Sequence, residues 1–307
     1  MPSFAQKVST WLALARLPFH AVGVLPFILG NVLAWRLRGA FRWGVCAWGT
    51  AGVVLVMLAT YLAGEYWDYE EDVLAAALGP SRFSGGSRMV QQGRVPRRAP
   101  LWGSLAGVLL ALAVAAVLQW GYRTGPWTVP LALIGLLGGF FYSARPVRWV
   151  RLGLGELWIA FNYGWLPVAV GCYLQTGTVA PPVHRLALPI GLSIVNVILL
   201  NEFPDYPADR AAGKANLAVR LGLPRASLVY AAIAAGAWLG VALSTGQGVP
   251  RTALWLCLPS VALSLALVVQ VLRGRWRDRA ALDRLCGANL LVNLGTTAAY
   301  LLAFLMG

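Results

Sequence analysis

Residues 101–120 read LWGSLAGVLLALAVAAVLQW, twenty successive residues without one charged side chain. A helix that crosses the hydrocarbon core of a bilayer needs about 20 mainly apolar residues, so this run predicts a membrane-spanning helix. Backbone polar groups in lipid must be hydrogen-bonded within the protein, which leaves a helix as the only structure for a run of this length. We therefore expect an integral membrane protein.

Eight further apolar runs share this character, at 17–35, 43–64, 126–144, 155–174, 186–203, 226–245, 252–272 and 285–306. The composition agrees, since only 12% of the chain is charged, whereas a soluble domain has about 25%. We predict an all-α integral membrane protein in which nine transmembrane helices form a helical bundle, as a single domain over residues 1–307. A water-soluble enzyme, a disordered chain and a disulfide-rich secreted protein are excluded.

The first sixteen residues, MPSFAQKVSTWLALAR, carry no small-residue cleavage site of a signal peptide. Their apolar positions follow a helical stripe made of Phe4, Val8, Trp11, Leu12 and Ala15. This pattern favours an N-terminal amphipathic helix lying in the membrane interface over a frayed tail.

The charges are distributed unequally between the two sides of the predicted bundle. The chain contains twenty-five Lys and Arg and eleven Asp and Glu, which gives a net charge of +14. Roughly three quarters of the cations lie in loops on the side of the amino terminus. The positive-inside rule then puts the N-terminus in the cytoplasm and, after nine spans, the C-terminus outside, in the cell membrane. No basic run is interleaved with aromatic residues in a soluble module, so we expect no nucleic-acid partner. We infer no obligate protein partner, and the isolated cysteines do not predict a zinc site.

All eleven acids lie on the predicted cytoplasmic side, and most fall in two clusters. The second span ends in GEYWDYEED (64–72), where Asp68 and Asp72 are four residues apart and share a face if the helix continues. The sixth span ends in NEFPDYPAD (201–209), which repeats the spacing with Asp205 and Asp209, although its two prolines make a straight helix doubtful.

A site that offers a metal ion only one or two carboxylates suits Mg²⁺, because Mg²⁺ takes its remaining ligands from water and substrate phosphates. Cations follow both clusters: Arg82, Arg88 and Arg94 after the first, and Arg210, Lys214 and Arg220 after the second. The combination predicts a diphosphate held through magnesium and clamped by Arg and Lys. The alternative is a pair of ordinary solvated loops. The offset of four spans between the clusters further suggests a 4+4 helix pseudo-repeat followed by a ninth helix.

These residues resemble the UbiA superfamily of membrane prenyltransferases. The family motifs N-D-x-x-D-x-x-x-D and D-x-x-x-D resemble residues 64–72 and 205–209, with Gly64-Glu65 in place of the leading Asn-Asp. The stretches NEFPDYPADRAAGKANLAVRLG (201–222), SGGSRMVQQG (84–93) and RLGLGELW (151–158) are most similar to the branch that prenylates 1,4-dihydroxy-2-naphthoate for menaquinone.

The resemblance implies a nine-span prenyltransferase that uses Mg²⁺, a prenyl diphosphate donor and an aromatic acceptor. It implies metal ligands at Asp68, Asp72, Asp205 and Asp209, with Glu65 as a further carboxylate of longer reach. It also implies that the diphosphate or its metals contact Lys214, Arg88, Tyr142, Arg145 and Asn201.

The chemistry of an allylic cation requires a dry, aromatic-lined pocket. Candidates for this lining are Trp67, Tyr142, Trp158, Phe161, Tyr163 and Trp165. Glu156 either orients the acceptor or is a favourable acid at a helix start. Three alternatives remain: another acceptor, such as 4-hydroxybenzoate, a tetrapyrrole or a glycerol phosphate ether; a phosphotransferase acting on cytidine diphosphate-linked alcohols; and a transporter.

Overall fold

The computed structural model describes residues 3–39, 41–78, 81, 83, 85–153, 155–246 and 248–307. Its helices, in chain order, are α1 Phe4–Ala15, α2 Ala21–Arg38, α3 Trp43–Trp67, α4 Tyr69–Leu78, α5 Ala99–Ala116, α6 Thr128–Ser143, α7 Trp149–Leu152, α8 Gly155–Ile159, α9 Leu166–Thr176, α10 Pro182–Ala211, α11 Leu217–Leu221, α12 Leu223–Ser244, α13 Thr252–Leu272 and α14 Arg279–Met306. Two π-helical segments, Val117–Gly121 and Ala160–Trp165, continue α5 and join α8 to α9. Within these residues there is no β-strand.

Among the described residues, eight helical segments are long and apolar enough to cross a bilayer, so the chain is a multi-pass membrane protein. The remaining predicted span, 126–144, corresponds to α6, which is apolar but has only 16 residues. A 16-residue helix rises about 24 Å, somewhat less than the ~30 Å hydrocarbon core. The all-helical membrane architecture is confirmed. The pseudo-repeat stays a prediction.

The longest helix, α10, runs unbroken through Pro204 and Pro207 and carries the whole second acidic cluster. Pro204 has no N–H to donate to the carbonyl of Leu200, four residues earlier. The thiol of Cys286 on α14 donates to that carbonyl instead, at 3.6 Å. The expectation that the prolines interrupt the helix is therefore wrong, and Asp205 and Asp209 share a face of α10. The neighbouring helix α14 supplies a donor for the carbonyl that Pro204 leaves free.

The amphipathic N-terminal helix forms as predicted, between Phe4 and Ala15. Phe4 and Trp11 are exposed, as an interfacial helix requires, while Leu14 is fully buried against Leu62 of α3. This contact fixes the end of α1 beside α3, and α3 itself packs along α5. The chain then enters α2 through a 3₁₀ turn at Leu17–His20.

Candidate active site

A single cavity of about 380 Å³ joins both acidic clusters to the interior of the bundle. Its lining on α3 extends from Gly49 to Asp68, a depth of about 28 Å at 1.5 Å per residue. At one end the lining is acidic and contains all four aspartates of the two motifs. At the other end it is apolar and rich in small side chains: Gly23, Gly49, Gly52, Ala111, Ala115, Ala132 and Gly135. The cavity is thus an apolar tunnel with a charged mouth.

The first aspartate pair lies where α3 passes into α4. The backbone N–H of Asp72 donates to the carbonyl of Asp68 at 2.8 Å, which preserves the helical path and brings both carboxylates to the cavity. Burial, together with the charges of Asp68 and Glu65, raises the pKa of Asp72 well above its usual range. A cation bound here would reverse this effect, because it favours the ionised carboxylate.

The second pair, Asp205 and Asp209, lines the cavity from α10. Nζ of Lys214 lies 2.9 Å from Oδ1 of Asp209, and Nδ2 of Asn216 donates to Oδ2 at 2.7 Å. Burial disfavours the charged form of Lys214, but the carboxylates of Asp68, Asp209 and Asp205 outweigh it and raise the pKa of the ammonium group. Lys214 is therefore a permanent cation between the two pairs.

The turn after α6 contributes an arginine, but not the one predicted. Arg145 is exposed and does not line the cavity. Arg148, three residues later, is buried and donates from Nη2 to Asp68 at 3.0 Å and to Glu71 at 2.9 Å. Burial raises the pKa of Glu71, but the hydrogen bonds that Glu71 accepts and the positive charges of Arg148 and Lys214 together outweigh burial and leave that pKa below its ordinary value. The hydroxyl of Ser143 also hydrogen-bonds Asp68, so α6 and its turn orient the first pair.

Among the described residues of the loop after α4, Phe83, Gly85 and Gly86 line the cavity. Ser87 donates to both carboxylate oxygens of Glu65, from its N–H at 2.6 Å and from its hydroxyl at 2.8 Å. Arg88 does not line the cavity, and its guanidinium donates to the carbonyl of Ser81 at 2.7 Å. The predicted Arg82 lies outside the described residues.

Two other predicted residues line the cavity, Asn201 and Tyr142. Oδ1 of Asn201 is buried and has no hydrogen-bond partner among the described residues, so it is available to a ligand. Of the remaining predicted aromatics, Trp158 and Tyr163 line the cavity, whereas Trp67, Phe161 and Trp165 do not. Phe161 and Trp165 instead belong to a column of stacked rings that begins at Trp149 and ends at His184.

Glu156 does not reach the cavity lining, so the prediction that it orients the acceptor finds no support in the geometry. Its carboxylate accepts a hydrogen bond from the N–H of Leu217 at 2.6 Å. Glu202 accepts from Ala218 at 3.1 Å, and Asn216 caps Val219 at 2.9 Å. Three side chains thus satisfy the first free N–H groups of α11 and fix Asn216 beside Asp209.

Sequence reasoning missed Arg16, which lines the cavity near the first pair. Arg16 ends α1 in the left-handed conformation, at φ 50°. Its only signal in the sequence is its position as the last cation before the first apolar run, which indicates membrane orientation and not a ligand site.

The donor set fits magnesium that arrives with a substrate. No three of the described acidic, His or Cys side chains form a ready-made metal cage. Two carboxylate pairs do, however, line one cavity. Mg²⁺ is bound through one or two carboxylates and completes its octahedron with water and phosphate oxygens. The four aspartates would hold the metal, and a diphosphate would bridge the two pairs.

Comparison with known proteins identifies relatives over nearly the whole chain. A model of the UbiA prenyltransferase family matches residues 23–294. The chain is 26% identical to the 1,4-dihydroxy-2-naphthoate octaprenyltransferase of Escherichia coli, over 94% of each protein. It is 25% identical to the 2-carboxy-1,4-naphthoquinone phytyltransferase of Synechocystis, over 88% of this chain and 84% of the relative.

Solved structures share the fold. A UbiA homolog from Aeropyrum pernix superposes with a TM-score of 0.71 at 19% identity, over 91% of this chain and 96% of the homolog. A UbiA homolog from Archaeoglobus fulgidus, bound to GPP and Mg²⁺, superposes with a TM-score of 0.66 at 17% identity, over 95% and 99% of the two chains.

Proposed function

Because the chain belongs to the UbiA prenyltransferase family, we propose that it transfers a polyprenyl group from a prenyl diphosphate to 1,4-dihydroxy-2-naphthoate in the presence of Mg²⁺. The product would be the prenylated ring of the menaquinone pathway. The observation that carries the proposal is a single cavity, about 28 Å deep, in which both aspartate pairs meet an apolar tunnel. Such a tunnel suits a polyprenyl tail, and its charged mouth suits the diphosphate.

The charged mouth would bind and activate the donor. Asp68, Asp72, Asp205 and Asp209 would hold magnesium, which would supply positive charge to the departing diphosphate. Lys214 adds a fixed positive charge between the pairs, and Oδ1 of Asn201, which has no hydrogen-bond partner among the described residues, offers an acceptor to a donor group of the bound substrate. Arg16 lies at the same mouth and would contact the outer phosphate or the carboxylate of the acceptor.

Bond formation would occur where the charged mouth meets the tunnel. The rings of Tyr61, Tyr142 and Tyr163 line this boundary. They would stabilise positive charge at C1 of the prenyl group as the C–O bond breaks, and they would exclude water. The diphosphate would leave with the electrons of the C1–O bond, and the new C–C bond would join C1 to the ring carbon that carries the carboxylate of the acceptor. That carboxylate would leave as CO₂ and return its bonding electrons to the ring.

The dihydroxynaphthoate acceptor is supported by the two relatives whose names specify a naphthalene ring, and by the motif similarity at 201–222. The test is a product assay on purified protein in lipid, with radiolabelled C20 to C40 prenyl diphosphates and either Mg²⁺ or EDTA. The acceptor panel contains 1,4-dihydroxy-2-naphthoate, 4-hydroxybenzoate, a tetrapyrrole and a glycerol phosphate ether. We expect magnesium-dependent product with the naphthoate, while product only with another acceptor would overturn the assignment of the acceptor.

The orientation in the cell membrane follows from the charges. We place the N-terminus and the charged mouth in the cytoplasm and the C-terminus outside, because roughly three quarters of the Lys and Arg lie in loops on the side of the N-terminus. A single cysteine introduced at Ser3 in a cysteine-free background should resist a membrane-impermeant maleimide in intact cells, and one at Gly307 should react. The reverse labelling pattern would contradict this orientation.

A further inference from the structure

We propose that Glu65 is a positioning residue that holds the loop 85–88 over the aspartate pairs, and that it is not a magnesium ligand. The inference deepens the proposed function and rests on it only for the magnesium site. It concerns the position at which this chain departs from the Asn-Asp of the family motif that it resembles.

The contact between Glu65 and Ser87 uses both oxygens of the carboxylate. The N–H of Ser87 donates to Oε1 at 2.6 Å and its hydroxyl donates to Oε2 at 2.8 Å. Glu65 is only 3% exposed. Ser87 thus donates to both atoms at the end of one buried side chain, and breaking this contact would leave buried polar groups without a partner, which costs their full desolvation penalty.

The contact between Glu65 and Ser87, which we call the tether, offsets an unfavourable backbone conformation in the loop. Gly85, Gly86 and Arg88 all have positive φ, of 71°, 64° and 63°. For Arg88 this conformation is costly, and it persists only where surrounding contacts determine it. Two such contacts are present, at Ser87 and at Arg88 itself. Ser87 is bound to Glu65, and Arg88 donates to the carbonyl of Ser81, whose hydroxyl donates to Asp283 of α14 at 2.6 Å.

The tether acts on the metal site through Gly86. A Cβ at Gly86 would overlap Oδ2 of Asp72 and would lie 3.3 Å from Oε1 of Glu65. The backbone of Gly86 therefore lies directly against the carboxylate of Asp72. By fixing Ser87, Glu65 fixes Gly86 and so limits the orientations open to Asp72.

The length of the side chain separates the two roles. Aspartate would be one methylene shorter, about 1.5 Å, and would not reach Ser87 from the last turn of α3. Glutamine keeps the length and can still accept from the N–H of Ser87 and donate to its hydroxyl, but it is a poor ligand for Mg²⁺. A metal ligand should therefore tolerate Glu65→Asp better than Glu65→Gln, whereas a loop tether should tolerate Glu65→Gln better.

The experiment measures two properties of the full-length protein in lipid nanodiscs. Hydrogen–deuterium exchange over residues 85–93 reports the tether without any substrate, and titration calorimetry with MgCl₂ and a non-hydrolysable prenyl diphosphate analogue reports the metal site. The variants are Glu65→Gln, Glu65→Asp and Ser87→Ala. Glu70→Gln is the control, because it removes an exposed carboxylate of the same acidic stretch that pairs with Arg97 and not with Ser87.

We expect Glu65→Asp to accelerate exchange over 85–93 by about tenfold, because the shorter side chain loses both hydrogen bonds from Ser87, and Ser87→Ala to accelerate it partly. Glu65→Gln and Glu70→Gln should retain both slow exchange and magnesium affinity. The proposal is overturned if Glu65→Gln weakens magnesium binding about tenfold or more while Glu65→Asp preserves it. Unchanged exchange in Glu65→Asp would overturn it as well.

The two readouts also separate this inference from the proposed function. The exchange data decide the tether whether or not the wild-type protein binds magnesium and the diphosphate analogue. Absence of any magnesium-dependent binding in the wild type would contradict the proposed function and leave the tether standing on its own result.

Discussion

Nζ of Lys214 lies 2.9 Å from Oδ1 of Asp209, in a pair whose side chains are 12% and 7% exposed. A buried ion pair of this kind is costly to break on one side only, since the remaining charge has no solvent to compensate it. The pair also places the cation between the two aspartate pairs, where a diphosphate would bind. Lys214 is thus expected to act on the donor and not on the acceptor.

Replacing Lys214 by Met should raise the KM for the prenyl diphosphate by about tenfold or more, the usual effect of losing a charged hydrogen bond. The KM for the acceptor should stay within about twofold. Steady-state kinetics with each substrate varied in turn measures both. The control is Lys7→Met, which changes the exposed lysine of α1. A KM for the donor that Lys214→Met leaves unchanged would remove Lys214 from the donor site.

Asn216 joins the metal site to the N-terminus of α11, because it donates to Asp209 and caps Val219. Asn216→Ala should therefore lower the free energy of unfolding by about 1 kcal/mol, because the cap is lost. It should also lower kcat, because Asp209 loses a partner. Asn216→Ser restores the cap but not the reach to Asp209. We expect Asn216→Ser to recover the melting temperature while kcat stays about tenfold below wild type, as for other partners that orient metal ligands. Full recovery of kcat by serine would show that Asn216 acts only through the stability of α11.

The depth of the tunnel predicts how the enzyme selects the length of its donor. Gly52 lines the apolar end, and a Cβ at this position would lie 3.2 Å from Cγ1 of Val114 on α5. Gly52→Leu should fill the tunnel there, roughly 20 Å from the level of Glu65 on α3. Turnover of a C40 donor should fall at least about tenfold, while a C10 donor should be used nearly as well as by the wild type. Equal losses for both donors would indicate general misfolding and would contradict a tunnel that holds the tail.

Alanine substitutions at two glycines of the loop after α4 distinguish the effect of backbone strain from the effect of contact with the metal site. Gly86 and Gly93 both have positive φ, but an added Cβ overlaps Asp72 at Gly86 and meets nothing within 4 Å at Gly93. Gly93→Ala should lower the free energy of unfolding by about 1 kcal/mol, because alanine disfavours a positive φ, and should have no further effect. Gly86→Ala should in addition displace Asp72 and weaken magnesium activation about tenfold. Comparable magnesium activation in the two variants would contradict the close approach of Gly86 to Asp72.

The sequence is sufficient to predict the helices and the end of the bundle at which the four aspartates lie, while the role of these aspartates as metal ligands stays a prediction. A membrane span needs a long uncharged run, and the four-residue spacing of Asp205 and Asp209 follows from helix geometry alone. The continuation of α10 through Pro204 is the exception, since the compensating donor for Leu200 comes from Cys286, 86 residues away. A contact of that kind has no local signal.

The charged residues around the aspartates were harder to assign. Arg145 and Arg148 share one turn, and only the backbone there decides that Arg148, at φ 51°, turns inward to Asp68 while Arg145 stays exposed. Arg16 reaches the cavity through the packing of Leu14 on α3, which periodicity cannot reveal. Residues whose role depends on a turn or on a distant packing contact are therefore the ones that the pattern of the sequence missed.

In the proposed mechanism, the aspartates of α3–α4 and of α10 act together on one magnesium diphosphate. Binding of a non-hydrolysable prenyl diphosphate analogue, measured by titration calorimetry with and without Mg²⁺, tests this joint action in the wild type, Asp68→Asn and Asp205→Asn. We predict magnesium-dependent binding in the wild type and a loss of affinity of at least about tenfold in each variant separately. Wild-type affinity in either variant, or equal affinity in EDTA, would contradict joint binding by the two pairs.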